Sequence, residues 1–422
     1  MIRTSQLDNG ARIVTETIPG VHSISIGIWV KAGARDESAA EQGLAHFIEH
    51  MLFKGTSRYS AFEISRRIDS VGGVLNAFTA KEYTCFYVKV LSRHLDLAID
   101  LLSDIFFNSL FDHVEIEKER NVVLQEISMV RDTPDDYVQD LFNQAFFADH
   151  PLGYNILGEI ETVQRFNRDA IVSFFEREYR RPRHLVIAAA GNLDHDDFAG
   201  RVRERFAALP ARPAGIRADS FTWRRRVDFH FRDLEQVHVC MGTRGLSHLD
   251  EKRYVLHVLN TILGGSMSSR LFQEIRENRG LAYNVFSFMT SFLDTGMFGV
   301  CMGVVKETVR ESLDITHREL KAMRDRPVSR EELIHAQEQL KGNLLLALEG
   351  TDSRMSRLAK CELYYDAFVP VEEILNDIDA VTPEQVQSLA QELFRDELFT
   401  YTFLGPIEPD DVPAPDLTLA GR

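Results

Sequence analysis

Cysteine is scarce in this chain of 422 residues: Cys85, Cys240, Cys301 and Cys361 are the four, far apart and without a Cys-x-x-Cys pair. That argues against a cysteine-bound metal knuckle or a disulfide framework. Because three of them lie in apolar strand-like runs, buried free thiols are expected. Positive charge is also in deficit. Against 64 acidic side chains stand 48 basic ones, a formal net charge of −16, which makes nucleic acid a poor partner and leaves a basic substrate open. No window reaches the roughly 20 apolar residues of a membrane-spanning helix, and Met1–Gly10 has no apolar secretory core. The expectation is a chain with no membrane partner and a cytoplasmic address.

What is present is ample core material. With 44% hydrophobic residues, a chain of this length should form more than one domain. Residues 11–32 alternate as half-buried strands, and helical periods run through about 41–54, 61–71, 94–107, 113–131 and 134–148. Further strands are expected at Tyr83–Leu91 and His184–Ala190. The prolines and small residues of 209–217 interrupt both periods and suggest a linker, placed at 213–225, between a first domain of 1–212 and a second of 226–422. In the second, the order recurs: a strand at Val237–Gly242, helices at 250–263 and 268–277, strands at 282–290 and 296–304, then long helices. The fold class is therefore α+β, two homologous domains, each a mostly antiparallel sheet with helices packed against it.

The two copies differ at one place. Gly43–Thr56 reads GLAHFIEHMLFKGT, and it aligns with a second-copy segment in which Leu256, Leu259 and Asn260 stand where His46, Glu49 and His50 stand in the first. A feature present in one copy and absent from its twin is hard to assign to folding alone. Residues i and i+4 share a helix face, so His46 and His50 can present two imidazole nitrogens to one point. A catalytic zinc takes three protein ligands and a water, and Glu49, three residues after His46, can take that water's proton without being a ligand. This is the His-x-x-Glu-His order, the reverse of the commoner zinc-peptidase motif.

A third ligand must come from another element. The helical run His113–Arg131 offers Glu119 and Glu126, seven apart on a stripe with Val122 and Val123, both expected to face inward. Carboxylates on an apolar stripe need a partner, and a metal supplies one. Periodicity does not choose between the two.

These features resemble the inverzincin metallopeptidases of the pitrilysin group, within it the mitochondrial processing peptidase-like branch. The likeness runs from Leu7–Val14 through Gly191-Asn192 to Arg276–Asn284. It implies a Zn2+ ion, one per chain, held by His46, His50 and Glu126, the last lying 76 positions beyond His50. It further implies that Glu119 supports the site, that Glu49 activates water, and that Arg276 and Tyr283 fix the substrate backbone and stabilise developing negative charge. Asn76 and Ala77 resemble the edge-strand segment that pairs with bound peptide, and Asp136 and Asp140 resemble two acidic positions that receive a substrate arginine. Members of this length are expected to act as homodimers enclosing a chamber that admits unfolded peptides. The long glycine-rich loop that captures presequences is reduced here to Leu263–Arg270, around Gly264 and Gly265, so broader peptide cleavage is expected. The reading from another class is a noncatalytic structural or binding subunit; such relatives lose part of the zinc motif, and here nothing is lost.

Overall fold

In the computed structural model, residues 1–210, 221, 223–413 and 417–419 are described. Most of the linker expected at 213–225 lies outside them. The first compact unit comprises Met1–Met129, His150–Asp219 and Ala347–Phe368; the second comprises Val130–Asp149, Ser220–Leu346 and Val369–Arg422. The contiguous division expected at 1–212 and 226–422 is thus corrected in two places, because each half of the chain contributes a helical segment to the other unit.

The first unit is built on β1 (Ile2–Gln6), β2 (Arg12–Thr17), β3 (Ser23–Val30), β4 (Val74–Thr79), β5 (Thr84–Leu91) and β6 (Leu185–Gly191), in the order β1-β2-β6-β3-β5-β4. Only the β2–β6 pairing is parallel. The second unit has β7 (Arg226–Phe231), β8 (Val237–Arg244), β9 (Ala282–Ser291), β10 (Gly296–Val304) and β11 (Thr400–Gly405), in the order β7-β11-β8-β10-β9. Again one pair, β7–β11, is parallel. Without β1 the two orders correspond strand for strand, with β4 and β9 at matching edges.

Helices α1 (Leu44–Leu52), α2 (Ala61–Asp69), α3 (Leu95–Asn108) and α4 (His113–Arg131) belong to the first unit, and α5 (Pro134–Phe146) to the second. In α2 the start is written locally: Ser60 accepts from the Glu63 amide while Glu63 reaches back to the Ser60 amide.

Both faces of each sheet are covered, and β3 shows how. Its alternate residues Ile24, Ile26, Ile28 and Val30 enter the main core with α1 and α3. The residues between them face the helix Thr351–Tyr364: Ser25 Oγ lies 2.8 Å from Thr351 Oγ1, and Trp29 Nε1 donates to Met355 Sδ at 3.1 Å. Gly27 is needed between them, since a Cβ there would stand 2.8 Å from Met355 Sδ. In the second unit α5 takes the corresponding place. Val237, Val239 and Met241 of β8 enter the core, while His238 pairs with Asp135 at 2.8 Å and Phe142 packs against Phe288. Coverage on both faces explains why β6, LVIAAAG, is buried throughout and reads as a continuous apolar run.

Two further expectations are corrected. Cys240 and Cys301 sit directly opposite on β8 and β10 and form a disulfide, whereas Cys85 and Cys361 are free and buried. Antiparallel register joins residues 61 apart, which spacing along the chain does not reveal. On α4, Val123 is buried beside Ile116, Glu119 and Ile127, but Val122 is 44% exposed, because the inward stripe follows Ile116–Glu119–Val123–Ile127 and Val122 lies to its side.

Candidate metal centre

The helix α1 begins at Gly43, held at φ 92° with Leu157's carbonyl so close that a Cβ would stand 2.6 Å from it. Such a residue has no side chain to cap the helix. Glu37, from the preceding loop, does so instead, accepting from the Gly43 amide at 2.9 Å and the Ala45 amide at 2.7 Å. Complete burial raises the Glu37 carboxyl well above its ordinary pKa, and these two amide bonds oppose the rise.

One turn on, His46 and His50 stack edge to face with ring centroids 4.6 Å apart. Burial, aided by the neighbouring His50, lowers His46 to a pKa of about 3, so its imidazole is neutral at pH 7, the state a metal ligand requires. Glu126 of α4 places its Oε2 3.7 Å from Nε2 of both histidines. Two metal–donor bonds of about 2.0–2.1 Å in a tetrahedral arrangement hold donors about 3.4 Å apart, so the spacing suits a zinc-sized ion. Among the described residues, donor atoms of His46, His50 and Glu126 lie within 4.8 Å of one another.

The surroundings orient these donors. His50 Nδ1 lies 3.0 Å from Glu119 Oε2, and Lys54 Nζ lies 2.7 Å from the other oxygen. Burial alone would raise the Glu119 carboxyl, but the hydrogen bonds from His50 and Lys54 outweigh it and hold it below its ordinary range. An ionised Glu119 can only accept, so His50 donates from Nδ1 and its Nε2 faces Glu126. Glu49 is raised by burial, and a hydrogen bond from the Thr79 hydroxyl at 2.6 Å opposes the rise. A carboxyl shifted toward neutrality and lying beside a metal-ligand set has the chemistry of a proton acceptor.

The other residues singled out from the sequence fall as follows. Asn76 and Ala77 lie on the edge strand β4, where the Asn76 side chain accepts from the Ala77 amide at 2.8 Å. Beside that strand a cleft of about 370 Å³ is lined by Phe53, Ile64, Ile68, Leu75 and Asn76 among others. In the second unit the Arg276 guanidinium lies 4.7 Å from the ring centroid of Phe272 and 4.8 Å from that of Tyr283, its Nε is 3.6 Å from Glu277 Oε1, and Tyr283 is 80% exposed on the edge strand β9. Asp136 is exposed and Asp140 half-buried, one turn apart on α5. Sequence reasoning missed Glu37, Lys54 and Thr79. Lys54 follows the motif directly, one turn past His50, and was open to inspection; Glu37 and Thr79 reach α1 from separate segments and carry no local signal.

Residues 12–160 match the family described as insulinase (peptidase family M16), and residues 165–340 match the peptidase M16 inactive domain. The chain is 44% identical over 400 residues to an uncharacterized zinc protease of Streptomyces coelicolor, covering 93% of this chain and 87% of the relative. It is 42% identical over 397 residues to the uncharacterized zinc protease YmxG of Bacillus subtilis, covering 94% and 97%. Among solved structures, a protease from Helicobacter pylori superposes with a TM-score of 0.89 at 21% identity, over 96% of this chain and 99% of that one. The chain belongs to peptidase family M16, the insulinase-type inverzincins, and its relatives are named zinc proteases.

Proposed function

We propose that this chain is a zinc endopeptidase that hydrolyses unfolded peptides, with one ion per chain on His46, His50 and Glu126. The observation that supports this best is the meeting of those three donor groups beside a carboxyl, Glu49, that is not itself one of them. When bound there, zinc lowers the pKa of a coordinated water and polarises a peptide carbonyl. Glu49 receives the water's proton and passes it toward the leaving amine. Glu119 holds His50 in the tautomer that binds metal. Peptide adds to the free edge of β4 at Asn76 and Ala77, displacing the side-chain bond that Asn76 makes to the Ala77 amide. Tyr283 and Arg276 supply donors for the substrate backbone and for charge developing on the carbonyl oxygen; the Phe272 and Tyr283 rings beside the guanidinium support this, since they hold it in place, with Glu277 Oε1 3.6 Å from its Nε.

Two finer features belong to the same proposal. Asp136 and Asp140 receive an arginine of the substrate, which Asp136→Asn/Asp140→Asn should reveal as a loss confined to arginine-containing peptides. The working form is a homodimer enclosing a chamber, tested by sedimentation and by resistance of folded proteins to cleavage. No helix among the described residues is long and apolar enough to cross a membrane. A cytoplasmic address would keep Cys240 and Cys301 reduced, and alkylation of the chain in intact cells reads their state.

The deciding experiment joins elemental analysis to a fluorogenic peptide assay with and without chelator. One zinc per chain and chelator-sensitive turnover are expected. Stoichiometric zinc without turnover on a diverse peptide library would favour a noncatalytic subunit instead.

A further inference from the structure

The hydroxyl of Thr79 donates to Glu49 Oε2 at 2.6 Å, and the Thr79 backbone amide hydrogen-bonds the same carboxyl. Thr79 is the last residue of β4, which has β5 on one side and, among the described residues, no strand on the other. Because the Ala80 amide bonds to the Tyr83 carbonyl, antiparallel alternation turns the amides of residues 75, 77 and 79 toward the free edge. The group holding Glu49 is therefore in line with the groups that a peptide added to this edge would meet. The carboxyl torsion of a glutamate is broad, so without a fixed partner the group has no single orientation.

The duplicated unit offers an independent comparison. By strand register Thr79, opposite Thr84 on β5, corresponds to Met289, opposite Phe298 on β10, while Glu49 corresponds in sequence to Leu259. Where the glutamate is absent, the hydroxyl is absent too.

We propose that Thr79 is the positioning residue for Glu49: from the end of the edge strand it sets the direction of the carboxyl relative to the strand on which substrate aligns. This rests on the peptidase reading above. It assigns Thr79 no contact with metal. Its part is to keep the proton acceptor oriented while peptide binds next to it.

The test uses the full-length zinc-loaded chain and the variants Thr79→Val and Thr79→Ser. Thr79→Val should lose about tenfold or more in kcat, with KM within about twofold and zinc content unchanged, while Thr79→Ser should keep kcat within about threefold of wild type. Crystal structures of the metal-free proteins supply a readout besides turnover: the Glu49 carboxyl, left with the backbone amide alone, should turn from its wild-type direction in the valine variant and keep it in the serine variant. Wild-type kcat in Thr79→Val, or equal loss in both variants, overturns the proposal, the second because shape rather than the hydroxyl would then matter. If Thr79→Val does not fold, Thr79→Ala is judged by the same criteria. An inactive zinc-loaded wild type would sink the peptidase reading, while the crystal comparison would still decide the role of Thr79.

Discussion

In the first unit the helix beside the edge strand presents His46, Glu49 and His50; in the second, the helix Arg253–Leu263 presents Leu256, Leu259 and Asn260 at the corresponding positions. The strand orders match and each sheet is closed on its second face by a helix from the other half of the chain. Leu256 and Leu259 are buried to 1% and 0% exposure in the core of the second unit, and His46, at 7%, is nearly as buried. The same scaffold position thus accepts either a leucine that stabilises or a histidine whose desolvation keeps it neutral. Folding does not require the polar trio. In one unit the trio carries a desolvation cost that the leucines of its twin do not.

The largest effect expected is on turnover. Glu49→Gln should lower kcat by about 10²–10⁴ with zinc still bound, whereas Glu126→Gln should lose zinc as well. Kinetics paired with elemental analysis checks both, and near wild-type turnover by Glu49→Gln would remove the assigned proton acceptor. In the second unit, Tyr283→Phe should lower kcat by about tenfold to a hundredfold at unchanged zinc content, since only a hydroxyl donor is removed. An unaltered kcat would leave the second unit a purely structural twin.

The aligned pair of His46 and Leu256 sharpens the comparison further. Leu256→Ala should destabilise the second unit by about 2–5 kcal/mol in urea melts and leave zinc affinity unchanged, because it opens a cavity in a core without ligands. His46→Ala should abolish zinc binding. Equal loss of zinc in both would show that the units do not divide the labour this way.

The smallest effect is shared by the two units. Burial holds His184 in the first and His317 in the second at a pKa of about 4, below the ordinary value of 6.5. The unfolded chain therefore binds protons that the folded chain refuses as pH falls from about 6.5 to 4. Stability is full above that window and drops within it, by up to about 1.4 kcal/mol per pH unit for each histidine. In metal-free protein, His184→Phe should flatten the pH dependence of the urea midpoint, and an unchanged slope would mean the imidazole is not the titrating group.

Much of this was legible in residues. The His46–His50 motif lies within one short helix, where i, i+4 spacing alone brings two imidazoles together, and the strands at 83–91, 184–190, 237–242, 282–290 and 296–304 announce themselves by β-branched and apolar content. The strands that escaped the periodicity are β1, β7, β11 and β4, the last expected only from the resemblance at Asn76 and Ala77. The first two are polar edges, IRTSQ and RVDFHF, whose exposed positions blur the period, and β11 is a six-residue run after several long helices. The outward turn of Val122 escaped because four adjacent positions of a helix span more than one face.

Local spacing determined by itself that one copy of a duplicated fold carries His46, Glu49 and His50 on a single helix face and that its twin does not. A helix turn converts sequence distance directly into spatial distance, so no tertiary information is needed for that much. Only the tertiary structure decided that Glu126 meets both histidines while Glu119 faces the far side of His50, that Thr79 and Glu37 hold α1 from two separate segments, that Cys240 lies opposite Cys301, and that α5 and the helix Thr351–Tyr364 each close the sheet of the other half. Each of those contacts joins residues on different elements. The packing of apolar faces and the register of strands set such distances, and neither is written in the spacing of residues along the chain.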